Sequence, residues 1–132
     1  MASATWNIPA LADEIGRVRH AAVEFARAEG VPDPPLEALR LAISEAVSNA
    51  VVHAFRTQEL PGTVTVTVDV TSDQLVEAVV RDDGIGMSAR GDSPGLGLGL
   101  DLIGSVADTV EQRLPADGAG FELWMCFRFG RT

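Results

Sequence analysis

Eight residues near the middle of the chain alternate strictly between polar and apolar side chains, in the run Thr63-Val-Thr-Val-Thr-Val-Asp-Val70. Successive side chains of a β-strand point to opposite faces of a sheet, so this pattern predicts a strand whose valines are buried on one face. Leu75 to Arg81 is a second candidate strand, and the four residues between the two suit a hairpin turn. A sheet with one buried face needs helices to cover that face.

Two helices are predicted before this hairpin. The first extends from Ala10 to Glu29 and ends at Gly30 and Pro32. Its apolar residues recur in steps of four and three, at Leu11, Ile15, Val18, Ala22 and Phe25. The second helix begins near Pro34-Pro35 and continues to about Phe55. Its predicted inward residues are Leu36, Leu39, Ile43, Val47, Ala50 and Ala54.

The remaining elements complete a two-layer fold. A third helix is predicted from Leu100 to Val106, and a second hairpin from Thr109 to Leu114 and from Phe121 to Phe129. Trp6 to Ile8 is a candidate edge strand. The order of elements predicts an α+β protein, a two-layer sandwich in which helices cover one face of a mixed, mostly antiparallel sheet. With 132 residues and no repeat or linker, the chain is expected to form a single domain, residues 1–132.

Composition excludes several functions. A formal net charge of −9 argues against direct nucleic-acid binding, because neutralising phosphates requires clustered cations. All ten basic residues are arginine, so no lysine is present for a Walker-type phosphate loop. No apolar run reaches the roughly 18 residues of a membrane span, and residues 1–9 do not form a secretion signal, so we expect a cytoplasmic protein without membrane contact. The single cysteine, Cys126, excludes a disulfide framework, and we expect it to pack in the core.

The second predicted helix carries polar residues within the otherwise apolar run from Ala42 to Ala54. Glu45 and Asn49 are four residues apart and therefore share one face of the helix. A buried carboxylate without a partner is costly, so Glu45 either reaches solvent or serves a site. His53 is better explained as a polar core or helix-end residue than as a ligand, because no second histidine lies within reach.

Two glycine-containing segments follow the first hairpin. Asp82 precedes Gly84 and Gly86 and is either a turn residue or a carboxylate that accepts a hydrogen bond from the amine of a flat base. The run Gly95-Leu-Gly-Leu-Gly99 opens a predicted helix, where backbone N–H groups bind anions. It does not match the dinucleotide fingerprint, because Leu100 stands where a third glycine is required. Taken alone, each segment is a turn more often than a ligand site.

The three patterns Glu45-x-x-x-Asn49, Asp82-x-Gly84-x-Gly86 and Gly95-x-Gly97-x-Gly99 occur in one order. In this respect the chain resembles the GHKL superfamily, the Bergerat-type ATP-binding domain of type II topoisomerases, ninety-kilodalton heat-shock chaperones, histidine kinases and mismatch-repair ATPases. Within that superfamily, Ser-Glu-Ala-Val-Ser-Asn-Ala-Val-Val-His at residues 44–53 is most similar to the small bacterial anti-sigma factors that are serine kinases. The resemblance extends from about Trp6 to Phe129.

The resemblance implies a site for ATP and Mg²⁺. Asn49 would bind Mg²⁺, Glu45 would be the general base, and Asp82 would recognise the adenine amino group. Gly84 and Gly86 would line the base pocket. The later segment would bring backbone amides to the phosphates, and its implied cofactor-binding residues are Gly95, Gly97, Leu98 and Gly99.

The resemblance also implies a function, that of an ATP-dependent protein serine kinase. Such a protein sequesters a sigma factor, phosphorylates an anti-anti-sigma antagonist and forms homodimers. Two departures from the family pattern concern kinase turnover. The segment Met87 to Pro94 is short and supplies only Arg90 as a cation. Near the last strand, Gly118-Ala119-Gly120 replaces the Gly-Thr of the family. The alternative is therefore an ATP-binding regulatory module without significant transfer activity. A detached sensor-kinase domain is disfavoured, because His20 is followed by Ala-Ala.

The first predicted helix is the expected partner surface. The resembled kinases hold the sigma factor through their early helical region. The outer face of this helix bears Arg17, Arg19 and Arg27, and arginine is favoured where interfaces pair with carboxylates. The apolar seam of the helix alone does not distinguish core packing from a helix contact. We expect Arg17 to contact the sigma factor.

Overall fold

The computed structural model describes residues 2–57, 62–82, 102–113 and 121–130, with the backbone alone at residues 53–57 and 121. Its two long helices are α1 (Asp13–Ala28) and α2 (Pro35–Thr57). Its strands are β1 (Ala2–Pro9), β2 (Thr63–Val70), β3 (Leu75–Asp82), β4 (Thr109–Arg113) and β5 (Phe121–Arg128). Residues 102–106 are also helical, within the predicted third helix.

The strands form one sheet in the order β1-β2-β3-β5-β4. The prediction of an α+β fold with an antiparallel sheet is confirmed, and Trp6 to Ile8 belong to an edge strand as expected. Every strand pair in the described ranges is antiparallel, so no parallel pair makes the sheet mixed there. β5 lies between β3 and β4 and pairs antiparallel with both of them.

The alternating pattern buries one face of the sheet under the helices. Side chains of β2, β3 and β5 on this helix face form a single core with both helices. The buried apolar residues of these three strands on the helix face are Val64, Val66, Val68, Val70, Val76, Ala78, Val80, Leu123, Met125 and Phe127. The opposite side, here called the open face, carries the polar partners of the alternation. Of the helices in the described ranges, none has the length and apolar character needed to cross a membrane.

Both predicted helices are present, with one shifted start. α1 begins at Asp13 rather than Ala10, because the Ala10 N–H donates to the Gly62 carbonyl at 2.8 Å and extends the β1–β2 pairing. Leu11 therefore precedes the helix. α1 ends before Gly30, whose φ is 95°, a backbone conformation suited to glycine. In α2 the predicted inward residues Leu36, Leu39, Ile43, Val47 and Ala50 are buried, and the side chain of Ala54 lies outside the described residues.

Cys126 is buried, but outside the core in which it was predicted to pack. It pairs in register with Glu77 and Thr109, and the alternation along β5 places it on the open face, opposite to Met125 and Phe127. Burial raises the pKa of the Cys126 thiol, and the carboxylates of Glu77 and Asp108 raise it further. A thiol with a raised pKa is poorly reactive, so the role of Cys126 is packing on the open face of the sheet.

Candidate nucleotide site

Glu45 and Asn49 lie on one side of α2, between the buried stripe and solvent. Both are half-buried, whereas their neighbours Ala46 and Ala50 are buried against the core. The partial exposure of Glu45 is compatible with either of the two possibilities given for it, contact with solvent or a role in a site.

The side-chain amide nitrogen of Asn49 is buried and has no hydrogen-bond partner among the described residues. Leaving a buried polar group unsatisfied costs about 1–3 kcal/mol. A rotation of the amide exchanges its oxygen and nitrogen, so the same position can offer an acceptor or a donor. A carboxamide oxygen is a suitable ligand for Mg²⁺, and the unsatisfied amide therefore fits a metal-nucleotide ligand.

Asp82 is the last residue of β3 and the only buried charged or polar residue in the described part of the chain. It pairs in register with Val64 and Phe121, and its position in the alternation places it on the helix face. Since α2 packs against β3, the buried side chain of Asp82 lies on the sheet face that this helix covers. Burying a carboxylate is costly unless it is paired, so this position favours a specific hydrogen-bonding role over an exposed turn.

A cavity of about 310 Å³ lies beside Asp82 and is lined also by Thr63, Thr65 and Arg81. The sequence analysis did not single out the last three residues. The strand alternation could have identified Thr63, Thr65 and Arg81, because they are the polar residues of β2 and β3 that lie nearest to Asp82. Thr63, Thr65 and Arg81 belong to the open face, so the hydroxyl and guanidinium donors of this cavity lie on the side of the sheet opposite to the helix face that carries Asp82.

Two large apolar side chains are exposed in the described part of the chain, Val52 at 50% and Leu102 at 36%. Val52 is seven residues after Glu45 and three after Asn49, so the three residues share one side of α2. Leu102 is the first described residue after the glycine run. Sequence analysis missed both, and they provide apolar contact surface next to the predicted nucleotide elements.

The predicted loop residues lie outside the described residues, and their roles remain predictions. This applies to Gly84, Gly86, Gly95, Gly97, Leu98 and Gly99. It applies equally to Arg90 in the segment Met87 to Pro94, and to Gly118-Ala119-Gly120. The backbone of His53 lies within α2, but its side chain is not among those described.

The arginines of α1 do not share one outer face. Arg17 is exposed over 79% of its side chain and forms a loose ion pair with Glu14 at 3.7 Å. Arg27 is also exposed and pairs with Glu24 at 3.2 Å. Arg19 is half-buried and donates a hydrogen bond to the Ser44 hydroxyl at 3.3 Å, so it joins α1 to α2 rather than facing a partner. Arg17 is thus accessible, as its predicted role requires.

A profile of the histidine kinase-like ATPase domain matches residues 8–127, which is most of the chain. The chain belongs to this family. The ATPase domain therefore has the fold that the three sequence patterns implied, and ATP binding is the family-level activity. The predicted resemblance is confirmed, including its anti-sigma branch, by the relatives described next.

Two curated relatives are similar to part of this ATPase domain. The anti-sigma F factor of Priestia megaterium is 36% identical over 58 residues, covering 42% of this chain and 39% of that protein. The serine-protein kinase RsbW of Bacillus licheniformis is 37% identical over 76 residues, covering 58% of this chain and 47% of that protein. The chain thus aligns with less than half the length of each of these relatives.

Solved structures confirm the fold. A crystal structure of the RsbU and RsbW domains of a Mycobacterium tuberculosis protein superposes with a TM-score of 0.77 at 21% identity, covering all of this chain and 34% of that one. A mycobacterial sensor histidine kinase, MprB, superposes with a TM-score of 0.58 at 17% identity, covering 95% and 97% of the two chains. At these identities the structural similarity establishes the architecture alone.

Proposed function

We propose that this ATPase domain is a protein serine kinase of the anti-sigma type, which sequesters a sigma factor and phosphorylates an anti-anti-sigma antagonist on serine. The observation that carries the proposal is the buried carboxylate of Asp82, at the boundary with the helix that presents Glu45 and Asn49. The names of the two curated relatives support the reaction class. The proposed compartment is the cytoplasm.

Each side chain has a separate role in this proposal. Asp82 accepts a hydrogen bond from the amino group of adenine, and Asn49 offers its carboxamide oxygen to Mg²⁺. Bound Mg-ATP supplies the phosphoryl group. Glu45, which is half-buried, takes the proton of the attacking serine hydroxyl. Transfer then depends mainly on positioning and charge neutralisation, to which backbone amides of Gly95, Gly97, Leu98 and Gly99 contribute in this proposal.

The partner surface proposed for the sigma factor includes Arg17. Its guanidinium is exposed and held only by the loose pair with Glu14, so little needs to be broken for a partner carboxylate to bind it. The proposed assembly is a homodimer, as in the resembled kinases.

A second candidate function is an ATP-binding regulatory module with little phosphoryl transfer. It is favoured by one observation, the single cation Arg90 in the short segment from Met87 to Pro94. Phosphoryl transfer normally requires positive groups around the reacting phosphate.

Incubation with γ-labelled ATP and candidate antagonists from the source cell separates the two functions. The kinase proposal predicts label on a serine of one antagonist and none without Mg²⁺. If calorimetry shows ATP binding while no antagonist is labelled, the regulatory-module function is the correct one. A Glu45→Ala protein in the same assay controls for contaminating kinases.

A further inference from the structure

The open face of the sheet has no helix over it in the described part of the chain, because α1 and α2 both pack against the helix face. Antiparallel sheets often expose one polar face to water. The open face departs from this pattern in the middle, where Val79 of β3 and Trp124 of β5 pair in register. Both side chains are half-buried, and the buried Cys126 lies next along β5. We call these three residues the apolar centre of the open face.

Charged residues flank the apolar centre on both central strands. On β3, Glu77 and Arg81 lie two residues before and two residues after Val79, on the same face. On β5, Glu122 precedes the apolar centre and Arg128 follows it. Each of these strands therefore carries a carboxylate at one end of the open face and a guanidinium at the other.

Several of these charges lack a partner within the described part of the chain. Asp69 and Glu77 lie directly opposite each other in the register of β2 and β3, where like charges destabilise a sheet. Neither carboxylate forms a hydrogen bond or ion pair through its side chain with a described residue. The same holds for Arg81 and for Glu122, although they pair in register across β3 and β5. A cation placed over Asp69 and Glu77 would relieve their repulsion.

The β4 side of the open face is neutral by comparison. Arg113 places its guanidinium carbon 5.1 Å from the centre of the Trp124 ring. The same guanidinium pairs with Glu111 at 3.0 Å. These two opposite charges balance each other within β4, so the unbalanced charges of this face belong to β2, β3 and β5.

We propose that the open face binds the open face of a second copy of this chain, with a two-fold axis that lies in the interface, perpendicular to the strands, and crosses β3 at Val79. Such an axis places each strand against its own copy in the opposite direction. Arg81 then faces Glu77 of the second copy, next to its Asp69. Glu122 lies beside Arg128 of the second copy. The two apolar centres come into contact and lose water together.

The open face has the size that a stable dimer requires. Four of its five strands have eight residues, which span about 26 Å at about 3.3 Å each, and five strands spaced about 4.8 Å apart span about 24 Å. The face therefore measures about 600 Å² per copy, or about 1,200 Å² for both, which reaches the lower range of specific interfaces. Two sheets packed in this way form an ordinary sandwich.

Other two-fold arrangements of the same faces fit the charges less well. An axis along β3 would place Arg81 against Arg81 and Glu77 against Glu77, and like charges repel. An axis parallel to the strands between β3 and β5 would pair Arg81 with Glu122. It would also place Asp69 and Glu77 opposite Thr109 and Cys126, neither of which carries a positive charge.

This inference rests on the homodimer of the proposed function and assigns it a surface, but it uses none of the residues proposed for catalysis. Asp82, Asn49 and Glu45 belong to the helix side of the sheet, and Arg17 lies on α1. A dimer formed through the open face therefore leaves the nucleotide site and the proposed sigma contact of each copy accessible.

Val79→Glu tests the centre of the interface. Sedimentation velocity over a concentration series measures association of the full chain, and we expect the wild type to dimerise. Val79→Glu should weaken association about 100-fold or more, because two like carboxylates would be buried against each other at the axis. Gln112→Glu adds the same charge to an exposed position on the other face of β4 and should stay within about twofold. A wild-type chain that stays monomeric up to about 1 mM, or a dimer unaffected by Val79→Glu, would overturn the proposal.

Exchange of charges tests the pairing and does not depend on the folding of Val79→Glu. Arg81→Glu and Glu77→Arg should each weaken association about tenfold or more, since each places like charges across the axis twice. An equal mixture of the two variants should restore association to within about threefold, because both contacts then join opposite charges. Misfolded variants would not recover on mixing. If Arg81→Glu is restored by Glu122→Arg and not by Glu77→Arg, the proposed axis is wrong.

Two single-tryptophan variants locate the contact independently. Trp6→Phe leaves Trp124 on the open face, and Trp124→Phe leaves Trp6 on the helix face beside α1. Dilution from dimer to monomer should shift the emission of Trp124 and leave that of Trp6 unchanged. A shift of Trp6 alone would place the dimer contact elsewhere and overturn the inference. Antagonist labelling is a separate measurement, so a monomer that labels an antagonist contradicts this inference alone, and a dimer that labels none contradicts only the kinase proposal.

Discussion

The α2–β3 region and the β1–α1 region handle polar groups in opposite ways. The first buries the carboxylate of Asp82 and the amide nitrogen of Asn49. The second leaves Arg17 largely exposed and the polar side chains of β1 in solvent. Burying a polar group costs desolvation free energy, which hydrogen bonds or ion pairs to protein groups or to a ligand offset, whereas exposed groups carry almost none of this cost. The proposed nucleotide contacts belong to the first region and the proposed partner contact of Arg17 to the second.

The largest expected effect concerns catalysis in the α2–β3 region. Glu45→Ala should lower phosphoryl transfer by about 10²–10⁴, the usual contribution of a positioned base, with ATP binding nearly intact. The rate of antagonist labelling and the calorimetric ATP affinity measure the two effects. Glu37→Ala is the control, because Glu37 is exposed on the same helix and pairs only with Arg40 in the described structure. A wild-type rate for Glu45→Ala would show that the base lies elsewhere or is not needed.

The second prediction concerns the core that both regions share. Ile43 is fully buried in α2, and Ile43→Ala should lower the free energy of unfolding by about 2–5 kcal/mol. Val52→Ala, on the exposed side of the same helix, should change it by less than about 0.5 kcal/mol. Urea denaturation followed by circular dichroism measures both. If the two variants were equally stable, the assignment of the buried stripe of α2 would be incorrect.

The third prediction tests the adenine contact. Asp82→Asn replaces half of an acceptor carboxylate with a donor, and should weaken ATP binding by about 1–3 kcal/mol. Asp69→Asn on the open face of β2 should leave ATP affinity unchanged. Calorimetry on both variants makes the comparison. An Asp82→Asn protein that binds ATP as tightly as the wild type would remove Asp82 from the pocket.

The smallest effect is expected in the β1–α1 region. Arg17→Glu should weaken sigma-factor binding by about 1 kcal/mol, as for other exposed charge contacts, and leave ATP affinity unchanged. Arg27→Glu should change neither. Titration of both ligands on each variant measures the difference. Parallel loss of ATP and sigma binding would indicate misfolding, and unchanged sigma binding would exclude this helix position from the interface.

Strong periodicity made most of the fold predictable. The strict alternation of residues 63–70 and the helical spacing after Pro35 agree with the structure nearly to the residue. Failures occurred where long-range contacts decide a local outcome. Ala10 was predicted to begin a helix, but its N–H donates a hydrogen bond to the Gly62 carbonyl. Arg19 contacts Ser44 of α2 instead of solvent. Cys126 lies on the open face of the sheet instead of the helix face. In each case, a partner distant in sequence overrides local preference.

The sequence by itself determined the element types, the family patterns and the identities of Glu45, Asn49 and Asp82 as candidates, since these depend on spacing along the chain. Only the tertiary structure decided that Asp82 is buried while Glu45 is half-buried, that the Asn49 amide nitrogen lacks a partner among the described residues, that Arg17 is exposed, and that β1 stands at the end of the strand order. Burial and edge position arise from the packing of elements far apart in the chain, and no local pattern of residues encodes them.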